Sequence, residues 1–198
     1  MSATVPAPHL DSLTATAKSV AAKGPPPVHL WHPDYCGEID MRIASDGTWF
    51  YMGTPIGRPA LVKLFASILR KDPERFVLVT PVERVGITVD DAPFLAVAME
   101  QESGRLGQSL TFRTNVDDQM TAGPEHPMRF EEDPSGGMKP YVKVRGELWA
   151  KVSRSVFYDL AALGEERIID GKSMFGIASN GAFFPMIEAV RLAELSGE

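Results

Sequence analysis

The chain of 198 residues is poor in cysteine and histidine, with one cysteine, Cys36, and four histidines. A single cysteine excludes an internal disulfide and is compatible with a reducing compartment. No window approaches eighteen consecutive apolar residues, and the first 23 residues lack the basic, apolar and small-residue order of a signal peptide. The sequence therefore predicts a cytoplasmic protein without a membrane partner.

The chain also has fewer basic than acidic residues, 20 against 26, which gives a net charge of -6. Such a field repels phosphate backbones, which argues against long nucleic acid as a partner. Any contact with a nucleotide must then be local. A hydrophobic content of 44% is ordinary for a packed globular protein of one large domain or two small ones.

An eight-residue phrase is present twice, as IASDGTWF at residues 43–50 and IASNGAFF at residues 177–184. In each copy an apolar run meets Asp-Gly or Asn-Gly, the pair that favours a tight type I′ hairpin turn. A looser third copy at residues 142–149 leads into a helical pattern, as the first copy does. The predicted fold class is α+β, with tandem duplicated hairpin-plus-helix units and mainly antiparallel sheets.

The pattern divides the chain into an N-terminal arm with a proline-rich spacer (1–27), an N-terminal α+β domain (28–81) and a C-terminal α+β domain (82–198). One helix is predicted from Pro59 to near Arg70, and another over 153–163 with Ser153 as its N-cap. Closely spaced strands at 76–80, 84–89, 94–99 and 110–114 favour antiparallel pairing, and 117–138 is predicted as a long loop.

Candidate ligand-binding residues of the N-terminal half begin with Gly57 and Arg58, which join a predicted strand to the start of a helix. Free backbone N–H groups, the helix dipole and a guanidinium favour an anion there, although glycines can equally serve the turn alone. Thr80 and Glu83 end a strand, where polar side chains can line a cleft. Pro81 has a plainer role available, since it ends strand pairing.

In the C-terminal half the candidates are Asn115, Tyr141, Lys143, Arg145 and Arg154. The amide of Asn115 can read a base edge or a ribose hydroxyl, but asparagine is also a turn residue. On a strand, Tyr141, Lys143 and Arg145 share one face, which suits base stacking and phosphate binding, or is simply the solvated face. Arg154 lies unfavourably for the dipole near a helix start, which indicates an anion or a carboxylate nearby.

Six short motifs follow one another between about Trp31 and Phe184: Ile39–Ile43 with Asp46–Trp49, Gly53–Arg58, Leu78–Glu83, Asp91–Phe94, Thr114–Asn115 and Pro140–Arg145. In this order they resemble one bacterial family, the domain of unknown function 1285. The resemblance implies a duplicated two-domain core and a C-terminal domain superficially like pleckstrin-homology folds. It also implies a cleft between the domains for a nucleotide-type ligand in a signalling role.

No cofactor or metal is predicted, because His29, His32 and Cys36 do not complete a four-ligand zinc site. The leading hypothesis is a non-enzymatic protein that binds a nucleotide-like, phosphate-bearing ligand. One alternative is a phosphoryl-substrate hydrolase or transferase that uses Glu83 or Asp91. Another is a protein-interaction module with residues 174–184 as an adhesive edge. The sequence also leaves a homo-oligomer open.

Overall fold

The computed structural model describes residues 10–196, so the first nine residues of the predicted N-terminal arm (1–27) lie outside the described residues. The chain divides into unit 1, Met1–Pro93 with Gly146–Leu148, and unit 2, Phe94–Arg145 with Trp149–Glu198. The boundary after residue 81 that the sequence suggested lies inside unit 1. None of the helices in the described part is long and apolar enough to cross a membrane.

Unit 1 consists of two helices and a six-stranded sheet, in the order α1 (Leu10–Ala21), β1 (Tyr35–Ile43), β2 (Trp49–Tyr51), β3 (Thr54–Pro55), α2 (Pro59–Ser67), β4 (Leu69–Lys71), β5 (Phe76–Val79) and β6 (Arg84–Val89). The sheet order is β3-β2-β1-β6-β5-β4, with β1 parallel to β6. Helix α1 packs on α2 and buries Leu13 and Ala17. Trp49 stacks on Phe65, with 6.5 Å between ring centroids.

Unit 2 contains β7 (Phe94–Gly104), β8 (Gly107–Thr114), β9 (Gln119–Thr121), β10 (Met128–Glu132), β11 (Met138–Arg145), β12 (Leu148–Val152), α3 (Arg154–Ala161), β13 (Glu165–Ile169), β14 (Lys172–Ser179), β15 (Ala182–Glu188) and α4 (Ala189–Ser196). One sheet has the order β10-β11-β12-β7-β8-β9 and the other the order β13-β14-β15. The α+β class with mainly antiparallel sheets is confirmed, and one parallel pair, β7 with β12, occurs here as well.

The two copies of the repeated phrase form hairpins with different turns. Asn180 and Gly181 both have positive φ, 47° and 78°, as the predicted type I′ turn requires. In the first copy only Gly47 is left-handed, with φ 84°, and Ala44 donates to Thr48 across the three-residue loop 45–47. The type I′ prediction is wrong there. The Asp46 carboxylate accepts the Thr48 N–H at 2.9 Å, and this side-chain hydrogen bond stabilises the turn without a left-handed conformation at Asp46.

Several element predictions need correction. The helix from Pro59 ends at Ser67 rather than Arg70, because Leu69–Lys71 pairs with β5 as strand β4. The predicted loop at 117–138 contains β9 and β10, which pair with β8 and β11, so partners remote in sequence override its turn-rich composition. Ser153 does precede α3, but its side chain makes no capping hydrogen bond.

The tip of the β14–β15 hairpin docks on β8 through Ser179, which is 1% exposed. The Ser179 hydroxyl accepts the Leu110 N–H at 2.9 Å and donates to the Ala122 carbonyl at 2.7 Å. The Asn180 N–H donates to the Gln108 carbonyl at 2.8 Å. Gly123 leaves room for this approach, since a Cβ there would lie 3.0 Å from Nδ2 of Asn180. The Ser179 hydroxyl and the Asn180 N–H therefore both tie the tip of this hairpin to the larger sheet.

Candidate functional site

The segment Gly53–Arg58 is divided between two structural roles. Met52 and Gly53, with φ of 48° and 74°, form the turn between β2 and β3, so Gly53 serves that turn and not the helix. Gly57 and Arg58 remain next to α2, and both are exposed. Arg58 precedes the helix in an extended conformation without capping it through its side chain. Within residues 10–196 its guanidinium makes no ion pair.

Thr80 and Glu83 enclose the turn between β5 and β6. The fully buried Thr80 hydroxyl accepts the Glu83 N–H at 3.2 Å, and the Thr80 N–H donates to the Glu83 carbonyl at 2.9 Å. Thr80 therefore stabilises the turn and does not face solvent. Burial raises the pKa of the half-buried Glu83 carboxyl above its usual value, and the described residues offer that carboxyl no hydrogen-bond donor.

Asn115 links the ends of β7 and β8. Its Oδ1 accepts the Leu95 N–H at 3.0 Å, and its own N–H donates to the Leu95 carbonyl at 2.8 Å. The β7–β8 pairing shifts register nearby, between Ala96 and Ala98, so the amide takes the place of ladder bonds. This contact fits the turn interpretation of Asn115, because the amide oxygen already has a main-chain partner.

Tyr141 and Lys143 join two residues that the sequence did not assign to a site, Arg129 and Trp149. The Arg129 guanidinium lies 4.3 Å from the Trp149 ring centroid and 5.0 Å from that of Tyr141, and the Lys143 Nζ lies 6.0 Å from Trp149. We name these four residues the Arg129 cluster. The register places Arg129 of β10 directly opposite Tyr141 of β11.

The cluster presents cations outward over aromatic rings. Tyr141 is only 2% exposed and lies under Arg129, so it cannot itself stack on a base as the sequence suggested. Trp149 is half-buried, and the Arg129 side chain is 47% exposed and forms an ion pair with Glu131 at 3.2 Å. Planar guanidinium groups stack on bases and bind phosphate in a forked geometry. Sequence analysis missed Arg129 because it lies in the region predicted as a loop.

Arg145 and Arg154 have partners of their own. Nη1 of Arg145 donates to Oδ2 of Asp118 at 2.5 Å, and its guanidinium lies 5.2 Å from the Phe94 ring centroid. Arg154 donates from Nε and Nη2 to the Tyr158 hydroxyl at 3.2 and 3.0 Å on the exposed side of α3. The expected carboxylate beside Arg154 is replaced by a phenol, while Arg145 does lie beside a carboxylate.

By unit, the candidates separate into Gly57, Arg58, Thr80 and Glu83 in unit 1 and Asn115, Tyr141, Lys143, Arg145 and Arg154 in unit 2. Among the described residues of unit 2, Tyr141 and Lys143 are assembled with a further arginine and a tryptophan into one cluster. The described residues contain no group of three or more histidine, cysteine or acidic side chains placed to hold a metal ion.

Comparison with known proteins matches both units to one family. The model described as "Domain of unknown function (DUF1285), N-terminal domain" covers residues 26–92, and the model described as "Protein of unknown function (DUF1285), C-terminal domain" covers residues 93–186. A comparison with curated proteins gave no match.

Two solved structures are similar to the chain, and both come from bacteria. A DUF1285 family protein from Silicibacter pomeroyi DSS-3 is 54% identical, with a TM-score of 0.82 and a match that covers 91% of this chain and 97% of that one. A DUF1285 family protein from Shewanella baltica OS155 is 28% identical, with a TM-score of 0.50 over 63% of this chain and 91% of that one.

Proposed function

Because this chain belongs to the DUF1285 family, whose domains carry no assigned function, we propose from its own side chains that it binds a small nucleotide-like ligand. The ligand carries a phosphate, binding occurs without chemical turnover, and the site is the Arg129 cluster of unit 2. The observation that carries this proposal is the Arg129 guanidinium over the Trp149 ring at 4.3 Å.

The chemistry of the cluster suits two parts of such a ligand. Arg129 and Lys143 supply charge-assisted hydrogen bonds to phosphate oxygens, which are about twice as strong as neutral ones. The outer face of the guanidinium offers a plane on which a base can stack, with the indole of Trp149 behind it. The role that fits a non-catalytic binder is to sense the ligand in a signalling response. Cys36 is unpaired, which is compatible with a cytoplasmic setting for this role.

The net charge of -6 restricts the size of the ligand. A long polyanion would meet repulsion from most of the surface, whereas a mononucleotide needs only a local cationic patch. The ligand class is therefore a mono- or cyclic nucleotide rather than RNA or DNA.

The test is a titration of the purified protein with AMP, cyclic AMP and adenosine, followed by tryptophan fluorescence and calorimetry. Ligand binding should change the fluorescence of Trp149. Because Trp31 and Trp49 also fluoresce, the variant Trp149→Phe shows how much of the change comes from Trp149. Hydrogen bonds to charged groups contribute about 1.5–3 kcal/mol, so Arg129→Glu should weaken AMP binding by at least roughly tenfold. Adenosine, which lacks the phosphate, should bind more weakly than AMP.

Arg113→Glu is the matched control, since Arg113 belongs to the same unit and its side chain has the same 47% exposure as Arg129. The control variant should bind AMP as the parent protein does. Equal affinity of the Arg129 and Arg113 variants would refute the assignment to the cluster, and a panel of nucleotides with no binding would refute the function.

A further inference from the structure

Unit 1 contains a pocket of about 330 Å³ that shares no residue with the Arg129 cluster. It is lined by Tyr35, Asp72, Pro73, Glu74, Arg75 and Arg84. Both guanidinium groups lie against the Tyr35 ring, with the carbon of Arg75 at 4.6 Å and that of Arg84 at 5.8 Å from the centroid. One aromatic ring thus contacts two cations, and all three side chains line the same cavity.

The parallel pairing of β1 and β6 creates this arrangement. Tyr35 and Arg84 begin the two strands as direct partners. Gly86 follows on β6, where a Cβ would lie 2.7 Å from the Tyr35 hydroxyl oxygen and 2.9 Å from Cγ of Glu38. The missing side chain therefore lets the Tyr35 ring lie along β6. Arg75 comes from the tight turn between β4 and β5, which is closed by hydrogen bonds between Asp72 and Arg75.

The hydrogen bonds hold Arg84 in position. Asp72 accepts from Nε of Arg70 at 2.7 Å and from Nη1 of Arg84 at 3.0 Å, and its side chain is 17% exposed. Burial would raise the pKa of Asp72, but the hydrogen bonds and charges of Arg70 and Arg84 outweigh burial and lower it. One carboxylate is therefore shared by two guanidinium groups, which leaves cationic charge at Arg84 only partly compensated.

Arg75 is tied to its acidic neighbours only loosely. Glu74 lies 3.6 Å away and Glu38 3.8 Å away, and these side chains are 84% and 73% exposed. Exposed pairs at such distances contribute little and exchange readily with another anion. Its closest partner is neutral, since Nη1 donates to the Tyr35 hydroxyl oxygen at 2.7 Å. That bond uses a lone pair of the oxygen, so the hydroxyl hydrogen of Tyr35 is available to donate to a ligand.

We propose that this pocket binds the phosphate group of a small phosphate ester. Arg75 and Arg84 supply the guanidinium donors and Tyr35 supplies a hydroxyl donor, a set that matches the several oxygens of one phosphate. The volume lies near the lower end of the range for small-molecule sites, about 300–1,000 Å³. A sugar phosphate or another compact ester fits this volume, whereas a dinucleotide exceeds it. This site rests on its own contacts and is separate from the proposed nucleotide function of unit 2.

The experiment uses inorganic phosphate as the probe and acetate and chloride at equal ionic strength as comparison anions. Phosphate binding is followed by calorimetry and by the arginine Nε–Hε signals in ¹H–¹⁵N NMR spectra, with the variants Arg75→Gln and Arg84→Gln identifying the two signals. We expect phosphate to shift both signals at concentrations where chloride shifts neither. We expect acetate to bind at least roughly tenfold more weakly, because it fills fewer of the converging donors.

Tyr35→Phe is the mildest variant, since it keeps the ring on which both guanidinium groups lie and removes only the hydroxyl. It should weaken phosphate binding roughly tenfold, in line with the loss of one hydrogen bond to a charged group. Arg75→Gln should weaken it further, with partial recovery in Arg75→Lys. The matched control is Arg42→Gln, an exposed arginine of the same unit that pairs with Asp90 outside the pocket.

The result that overturns the proposal is equal phosphate affinity of the Arg75→Gln and Arg42→Gln variants with both correctly folded by circular dichroism. Acetate binding as tight as that of phosphate would overturn the ligand class. Arg129→Glu separates the two proposals, because it should weaken AMP binding in unit 2 by at least roughly tenfold and leave phosphate binding in unit 1 intact. If phosphate no longer shifted the Arg75 and Arg84 signals in the Arg129→Glu variant, this site would also be refuted.

Discussion

The replacement of Ser179 by alanine is the sharpest test of how the second hairpin is attached. The hydroxyl is 1% exposed and bonds at once to the Leu110 N–H, 2.9 Å away, and to the Ala122 carbonyl, 2.7 Å away. Ser179→Ala removes a single oxygen atom. It leaves two main-chain groups without a partner in a buried environment, since Leu110 and Ala122 are themselves fully buried.

The expected loss follows from these two orphaned groups. An unsatisfied buried donor or acceptor costs about 1–3 kcal/mol, so for two such groups we expect Ser179→Ala to lower the free energy of unfolding by about 2–6 kcal/mol. For a chain of this size each kcal/mol corresponds to about 2–4 °C. The melting temperature should therefore fall by roughly 4–24 °C.

The sequence itself offers the matched control. Ser45 occupies the same position in the first copy of the repeated phrase, but its side chain is exposed. Ser45→Ala should change the free energy of unfolding by no more than about 0.5 kcal/mol, as is usual at the surface. Urea unfolding followed by circular dichroism measures both variants. The reasoning is wrong if Ser179→Ala is no less stable than Ser45→Ala, because the buried main-chain groups would then need no partner from Ser179.

Two further predictions concern Asn180 and Glu83. Asn180→Ala should destabilise the protein by about 1–2 kcal/mol because alanine is strained in the left-handed region, where Asn180 has φ 47°. Asn180→Gly should cost less in the same urea experiment, and the reverse order would contradict the role of the turn. Burial raises the pKa of the Glu83 carboxyl in the folded state above its pKa in the unfolded state. Stability is therefore lost as the pH rises from the unfolded-state pKa through the folded-state pKa, because the carboxyl then ionises in a buried position. Glu83→Gln should therefore be more stable than the parent protein at pH 7 and equal to it near pH 3. A stability difference independent of pH would show that ionisation of Glu83 is not its cause.

Much of the local structure was readable from the sequence. Apolar periodicity and turn chemistry correctly predicted three elements, namely the bounds of the strand Arg84–Val89, the hairpin at Asn180-Gly181 and the helix after Ser153. The motifs from Ile39 to Arg145 indicated the family to which both domain models match. These features are local, because a period, a turn pair or a short motif depends on neighbours along the chain.

The candidate sites were only partly readable. Lys143 and Tyr141 were identified from alternation along one strand, whereas Arg129 and Trp149 joined them through the pairing of β11 with its neighbouring strands β10 and β12. The unit 1 pocket was not anticipated, because residues 35, 75 and 84 meet only through the parallel register of β1 and β6 and the turn after β4. No local pattern specifies such pairings.

The repeated phrase shows which features the sequence determines and which depend on the tertiary structure. By itself the sequence determined that both copies are hairpins, since an apolar run, a turn pair with glycine and an aromatic run leave little choice. The tertiary structure decided that Ser45 is exposed at the first tip whereas Ser179 is buried against β8 at the second. The physical reason is that burial and hydrogen-bond satisfaction depend on which surface each tip meets, and the chain supplies that surface from residues far away in sequence.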